Sequence, residues 1–275
     1  MVDAHAHLTD ERFAADVDAA IERAGQAGVA RIVTCAEDVA SSERAVALAE
    51  RYDVVRAAVG IHPHRAASCN AAALARIQAL AAHPRVVAVG EIGIDLSGRS
   101  AAPADQERAL LAQLELASEA GLPVCVHVRG SGPVVRSLID RVPGARGYVH
   151  CYSVPAQPGG AGRSGTRVEG LTTYSQVLED VNEWTARGFC LAFAGTLTYP
   201  RSDPLRAAAA ALRADRLLVE TDAPALAPQP QRGRRNEPAF IAATYEAVAR
   251  ARGTTAAEIA ARVRENAASL FGGRW

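Results

Sequence analysis

His5 and His7 stand two residues apart near the start of the chain, and four of the other histidines, His62, His64, His127 and His150, each follow or close a short apolar run. Only His83 does not fit this placement. In an extended strand, a spacing of two sends both side chains to the same side, so His5 and His7 point together. Glu91 lies within a fourth such run and Asp222 just beyond a last one. Four imidazoles (His5, His7, His127, His150) and two carboxylates (Glu91, Asp222) brought together in a protein interior would be costly to bury unpaired. A metal ion removes that cost, and mixed nitrogen and oxygen donors suit divalent ions such as Zn²⁺, Mn²⁺ or Mg²⁺. Two ions about 3.5–4 Å apart need a bridging carboxylate. Glu91, within Val89-Gly90-Glu91-Ile92-Gly93-Ile94-Asp95, is the candidate, and a carboxylated lysine is excluded because all 30 basic residues are arginine.

These side chains meet only if strand ends converge. Apolar runs recur at Val2–Leu8, Ala30–Ala36, Val54–Ile61, Val86–Ile94, Pro123–Val128, Gly147–Tyr152, Phe189–Gly195 and Arg216–Glu220. Between them lie stretches of helical period or composition, such as Arg12–Ala27, Ser42–Arg51, Ala71–Ala82, Asp105–Ala120 and Leu205–Ala214. Eight βα units in 275 residues predict an α/β fold of the (β/α)₈ TIM-barrel type, whose strand ends open onto one catalytic mouth. Gly28, Gly121 and Gly188 fall where helices should stop, and Thr254–Leu270 reads as a closing helix behind a capping arrangement. One domain is expected over 1–275. The Gly/Pro-rich stretch 154–173 breaks the rhythm and reads as a flexible loop insertion at the mouth, either a bland surface insertion or a lid that touches substrate.

Formal net charge is +0, so a generally basic, DNA-coating surface is excluded and any nucleic acid must be held by a local patch. The five cysteines are scattered and form no CxxC pair, which predicts neither a disulfide framework nor a zinc knot and favours a reducing cytoplasm. The chain opens directly on a strand-like motif, and no apolar run approaches about 18 residues, so neither secretion nor a membrane span is expected. No coiled-coil pattern or apolar patch suggests a protein partner, and a monomer is the default.

The strings Asp3-Ala4-His5-Ala6-His7, Gly60-Ile61-His62-Pro63-His64, Gly90-Glu91-Ile92-Gly93-Ile94-Asp95, Pro123-Val124-Cys125-Val126-His127, His150-Cys151-Tyr152-Ser153 and Glu220-Thr221-Asp222-Ala223-Pro224 follow one another along the chain. Leu226-Ala227-Pro228, Arg232-Gly233-Arg234-Arg235-Asn236-Glu237-Pro238 and Glu265-Asn266-Ala267 continue the series. In order and spacing they resemble the TatD family of metal-dependent deoxyribonucleases across the whole chain. The resemblance implies one ion held by His5, His7, Glu91 and Asp222 and a second by Glu91, His127 and His150. It further implies a two-metal phosphodiesterase acting as an exonuclease on DNA or RNA ends. Glu91 and Asp222 are then the catalytic residues, Asp222 orienting the attacking water and taking its proton, or serving as a plain ligand. His62 is expected to donate to the substrate phosphate, His64 to have a structural role, and Arg232 and Arg235 of the local basic cluster to neutralise the nucleic-acid backbone.

Two stretches depart from the family pattern. Val154 and the insertion stand where a glycine usually follows His-Cys-aromatic-Ser, and Leu96-Ser97-Gly98 replaces a stretch where aromatic and basic residues are common. Both border the mouth, where substrate is chosen. The alternative reading is therefore a metal-dependent deacylase or lactonase acting on a carboxylic ester such as an aminoacyl-tRNA. A non-catalytic metal-binding protein is a third reading, opposed by the complete ligand set.

Overall fold

The computed structural model describes residues 1–98, 101–154 and 173–275. Strands and helices alternate as β1 (Val2–Ala6), α1 (Val17–Gln26), β2 (Arg31–Cys35), α2 (Val39–Arg51), β3 (Val55–Val59), α3 (Ala71–Ala81), β4 (Val86–Asp95), α4 (Pro103–Glu119) and β5 (Val124–Arg129). They continue as α5 (Gly132–Ile139), β6 (Gly147–Val149), α6 (Tyr174–Ala186), β7 (Cys190–Phe193), α7 (Asp203–Ala211), β8 (Leu217–Val219), α8 (Ile241–Arg252) and α9 (Ala256–Phe271). The strands form one sheet in the order β1 to β8, and every neighbouring pair is parallel. The ring closes just beyond β8, where Ala6 bridges Ala223, the His7 N–H donates to the Ala223 carbonyl at 2.6 Å and the Asp222 N–H to the His5 carbonyl at 2.9 Å. This is the (β/α)₈ barrel that the sequence alternation predicts.

Every residue of β4 is buried, as a parallel strand covered on both faces requires. Its register slips between Val89 and Ile92, and Gly90 lies in the slip because a Cβ there would stand 2.5 Å from the Cβ of Cys125 on β5. Such irregularities re-aim side chains, and the one affected here is Glu91. Helix ends are set locally: Asp38 and Ser41 form a capping box on α2, Thr255 and Glu258 on α9, and Asn70 caps α3. Gly28, Gly121 and Gly188 follow α1, α4 and α6 at φ of 82°, 65° and 81°, the left-handed stop expected of them.

One helix differs from the sequence expectation. The stretch Arg12–Ala27 becomes helical only at Val17, because the Asp10 side chain accepts the Arg12 N–H and sets a short 3-10 turn, Glu11–Phe13, that buries Phe13. The 154–173 insertion lies outside the described residues except for its ends, of which Thr173 caps α6. Among the described residues no helix is long and apolar enough to cross a membrane.

The open strand ends are pinned from behind. Gln106 and Gln113, two turns apart on one face of α4, are both buried. Gln106 Oε1 accepts the Asp95 N–H at 2.8 Å, and Gln113 accepts the Ile61 N–H at 2.7 Å while donating to the Ile61 carbonyl at 3.1 Å. The ends of β3 and β4 thereby exchange water for fixed protein partners.

Candidate metal centre

The six predicted ligands converge at the mouth around one carboxylate. Glu91 Oε2 lies 3.4 Å from both His5 Nε2 and His7 Nε2. Its other oxygen, Oε1, lies 2.7 Å from His127 Nδ1 and 2.9 Å from His150 Nε2. Asp222, on the β8 side of the ring closure, places Oδ1 3.7 Å from His5 Nε2 and 3.5 Å from His7 Nε2. Its backbone is left-handed at φ 56°, a conformation that Asp tolerates better than most side chains.

The outward-facing nitrogens of the ring cluster face acceptors of their own. His7 Nδ1 meets the Cys35 carbonyl at 3.2 Å, an acceptor only, so that nitrogen bears the proton and Nε2 presents a lone pair. His150 Nδ1 faces Glu220 Oε1 at 3.3 Å and His127 Nε2 faces Asp95 Oδ2 at 3.4 Å, carboxylates that would receive an outer ring proton once the inward nitrogens held a metal. These two contacts fall short of good hydrogen-bond geometry and leave His150 Nδ1 and His127 Nε2 formally unpaired. Facing inward, His127 Nδ1 and His150 Nε2 then stand 3.1 Å apart, both against Glu91 Oε1. His5 and His7 likewise oppose their Nε2 atoms at 3.0 Å, with His5 Nδ1 on Cys125 Sγ at 3.2 Å. Imidazole nitrogens and carboxylate oxygens gathered this closely in a buried mouth are a donor set that fits divalent metal. Among the described residues four groups bring their donor atoms within 4.8 Å of one another: His5, His7 and Asp222; His5, Glu91 and His150; His62, Glu91 and His127; and His5, Cys35 and Cys125.

The electrostatics point the same way. Burial works against charge on Glu91, but His150, His62 and His127 outweigh it and hold the carboxyl well below its ordinary range. Burial lowers the proton affinity of His150, yet Glu91 and Glu220 more than reverse this. Asp222 is also kept ionised, since His7 and His150 overcome its desolvation. Without metal, protonated histidines thus supply the positive charge that keeps Glu91 and Asp222 ionised, the place that bound cations would take.

The remaining predicted residues fall in different places. His62 is inside the cluster, with Nε2 3.2 Å from Glu91 Oε1. Its Nδ1 accepts the His64 N–H at 3.1 Å, and burial pushes its imidazolium down, so the neutral ring carries its proton on Nε2 and is a donor there. His64 is half-exposed and reaches Asp95 at 3.2 Å. Arg232 is exposed and lies over the Tyr199 ring at 4.4 Å. Arg235 stands apart from the cluster: it bonds Asp16 at 2.6 and 2.8 Å and Glu237 at 2.8 Å, and it covers the Phe13 ring.

Three supporting acids were given no role by the sequence reading. Asp3 is wholly buried and accepts from the Thr221 N–H at 2.8 Å and its hydroxyl at 2.6 Å, stitching β1 to the Asp222 turn. Burial pushes its carboxyl up to about 7 against those bonds. Glu220 accepts the Cys151 N–H at 2.7 Å, and Asp95 accepts the Ser97 N–H at 2.7 Å. Their signal was proximity in the same motifs as the ligands, two residues away for Asp3 and Glu220 and four for Asp95.

A barrel of this kind with a histidine–carboxylate mouth is the architecture of metal-dependent hydrolases. The family profile described as "TatD related DNase" matches residues 2–272, and the chain belongs to that family. It is 36% identical over 281 residues to the "3'-5' ssDNA/RNA exonuclease TatD" of Cronobacter sakazakii, covering 98% of this chain and 97% of that protein. It is 33% identical to the "uncharacterized metal-dependent hydrolase YabD" of Bacillus subtilis, covering 98% of each. Among solved structures, the TatD homologue YJJV of Escherichia coli superposes with a TM-score of 0.84 at 31% identity, covering 98% of this chain and 97% of that one.

Proposed function

We propose that this protein is a two-metal phosphodiesterase that shortens single-stranded DNA or RNA from an end. The observation that carries the reading is the division of Glu91: one oxygen faces the His5/His7 pair, the other the His127/His150 pair. His5, His7, Glu91 and Asp222 would hold one ion, and Glu91, His127 and His150 the other, with Zn²⁺, Mn²⁺ and Mg²⁺ as candidates. Bound there, such ions supply Lewis-acid polarisation of a phosphoryl oxygen and a lowered water pKa. The nucleic-acid substrate follows from the activity named for the relative in Cronobacter sakazakii.

The chain's own residues do the rest. Asp222, ionised and partly open to the mouth, orients the attacking water and accepts its proton. His62, neutral with its proton on Nε2, donates to a phosphate oxygen. Arg232 borders the substrate, while Arg235, its charge matched by Asp16 and Glu237, fixes the segment that carries Arg232. The five free cysteines, four of them buried, suit the reducing cytoplasm, and the enzyme acts as a monomer.

Elemental analysis after loading with Zn²⁺ or Mn²⁺ tests the bridging role. Wild type should approach two ions per chain, and Glu91→Ala should hold fewer. Unchanged stoichiometry in the variant removes Glu91 from the bridge.

A further inference from the structure

Tyr199 and Arg232 form a cation–π pair built by the loops that follow β7 and β8. The Arg232 guanidinium carbon lies 4.4 Å from the centre of the Tyr199 ring. The ring is anchored from its edge, where the hydroxyl donates to the Ala227 carbonyl at 3.0 Å, and from its backbone, where Arg206 grips the Tyr199 carbonyl at 2.9 Å. Thr198 Oγ1 accepts the Gln229 N–H at 2.9 Å, tying the two loops together beneath the pair. Both residues come after the C-terminal ends of their strands, the face of the barrel on which Glu91 and Asp222 open.

The neighbouring arginines are committed elsewhere. Arg12 pairs with Asp10, Arg206 with Asp203, and Arg235 with Asp16 and Glu237. Arg232 is exposed and, among the described residues, has no carboxylate partner. A guanidinium lying over a ring offers its outer face, and nucleobases stack on guanidinium planes and aromatic rings whatever their sequence. We propose that Tyr199 and Arg232 form a stacking shelf for a nucleobase of a single-stranded nucleic acid whose neighbouring phosphate reaches the Glu91–Asp222 centre. The proposal rests on the exonuclease reading and gives it a base subsite. It differs from a phosphate clamp, in which the charge and edge of Arg232 would matter and the plane would not.

Arg232→Lys separates the two, because lysine keeps the charge and loses the plane. The full metal-loaded chain is assayed on a short single-stranded oligonucleotide and on a second one made abasic at its end. Binding is followed on phosphorothioate versions that resist hydrolysis. Arg232→Lys and Tyr199→Ala should each weaken binding and kcat/KM about tenfold on the normal strand. Tyr199→Phe, which keeps the ring and loses only its bond to the Ala227 carbonyl, should lose less than Tyr199→Ala, and the losses of all three should disappear on the abasic strand. If Arg232→Lys behaves as wild type while Arg232→Ala loses equally on both strands, Arg232 is a phosphate contact and the shelf is overturned. Cleavage and binding that ignore the base overturn the shelf and leave the exonuclease reading standing. Base-dependent binding without cleavage under any of the three ions keeps the shelf and overturns that reading. Absence of binding overturns both.

Discussion

Glu220 touches no predicted substrate atom, yet it faces the outer nitrogen of His150 and fixes the backbone of Cys151. Outer partners of metal-binding histidines set ring orientation and basicity, and losing one typically costs about 10–100-fold in metal affinity. Glu220→Ala should therefore raise the metal dissociation constant by about that factor in a chelator competition, with Glu220→Gln retaining more affinity because it still accepts the Cys151 N–H. Equal affinity in all three proteins would show that Glu220 supports only the loop. At this scale the ligands themselves were legible, since histidines and acids at the ends of apolar runs are expensive without a partner. Their supporters were not. Asp3, Asp95 and Glu220 lie beside ligands in sequence, and nothing in a strand pattern says which neighbour's side chain turns back to hold the ring. In the sequence Cys125 is one of five scattered cysteines, and only the fold shows its sulfur against His5 Nδ1.

Elements are tied to the mouth by charge as well as by hydrogen bonds. Arg235 and Arg23 join α1 to the segment after β8 through Asp16 and Glu237. Arg235 first and then Arg23 hold the Asp16 carboxyl well below its ordinary range. Burial pushes Glu237 up, but the same two arginines outweigh it and the group is also lowered. Acids depressed in the folded state stabilise it above their unfolded pKa values, about 3.9 and 4.3, and that stabilisation is lost as pH falls through the folded values. Wild type should therefore lose Tm more steeply than Asp16→Asn/Glu237→Gln below about pH 4, with the gap between them largest near neutrality. Parallel curves from pH 7 to 2 in scanning calorimetry would dismiss the network as a stabilising device. The strand and helix alternation behind this architecture was legible from periodicity. The start of α1 was not, because the Asp10 turn that delays it to Val17 is a side-chain hydrogen bond rather than a pattern. The ring closure through Ala6 and Ala223 joins the two ends of the barrel sequence and was equally invisible to local reading.

For the whole molecule, the barrel brings residues separated by up to the 217 positions between His5 and Asp222 to one mouth, and this convergence is what makes a metal centre from a dispersed set. The family and the fold were readable because six motifs keep their order along the chain and each ends a strand. The choice among substrates was less so, since phosphorus and carbon esters call for the same ligands and differ at the rim, where Arg232 lies. The most direct test of the account uses an end-labelled single-stranded oligonucleotide and metal-free protein refilled separately with Mg²⁺, Mn²⁺ and Zn²⁺, with Asp222→Asn beside it. The account predicts stepwise shortening that requires a metal and falls at least about 100-fold in the variant. Intact oligonucleotide at full metal occupancy, together with hydrolysis of an aminoacyl ester, would contradict it and assign the centre to a carbon-ester substrate.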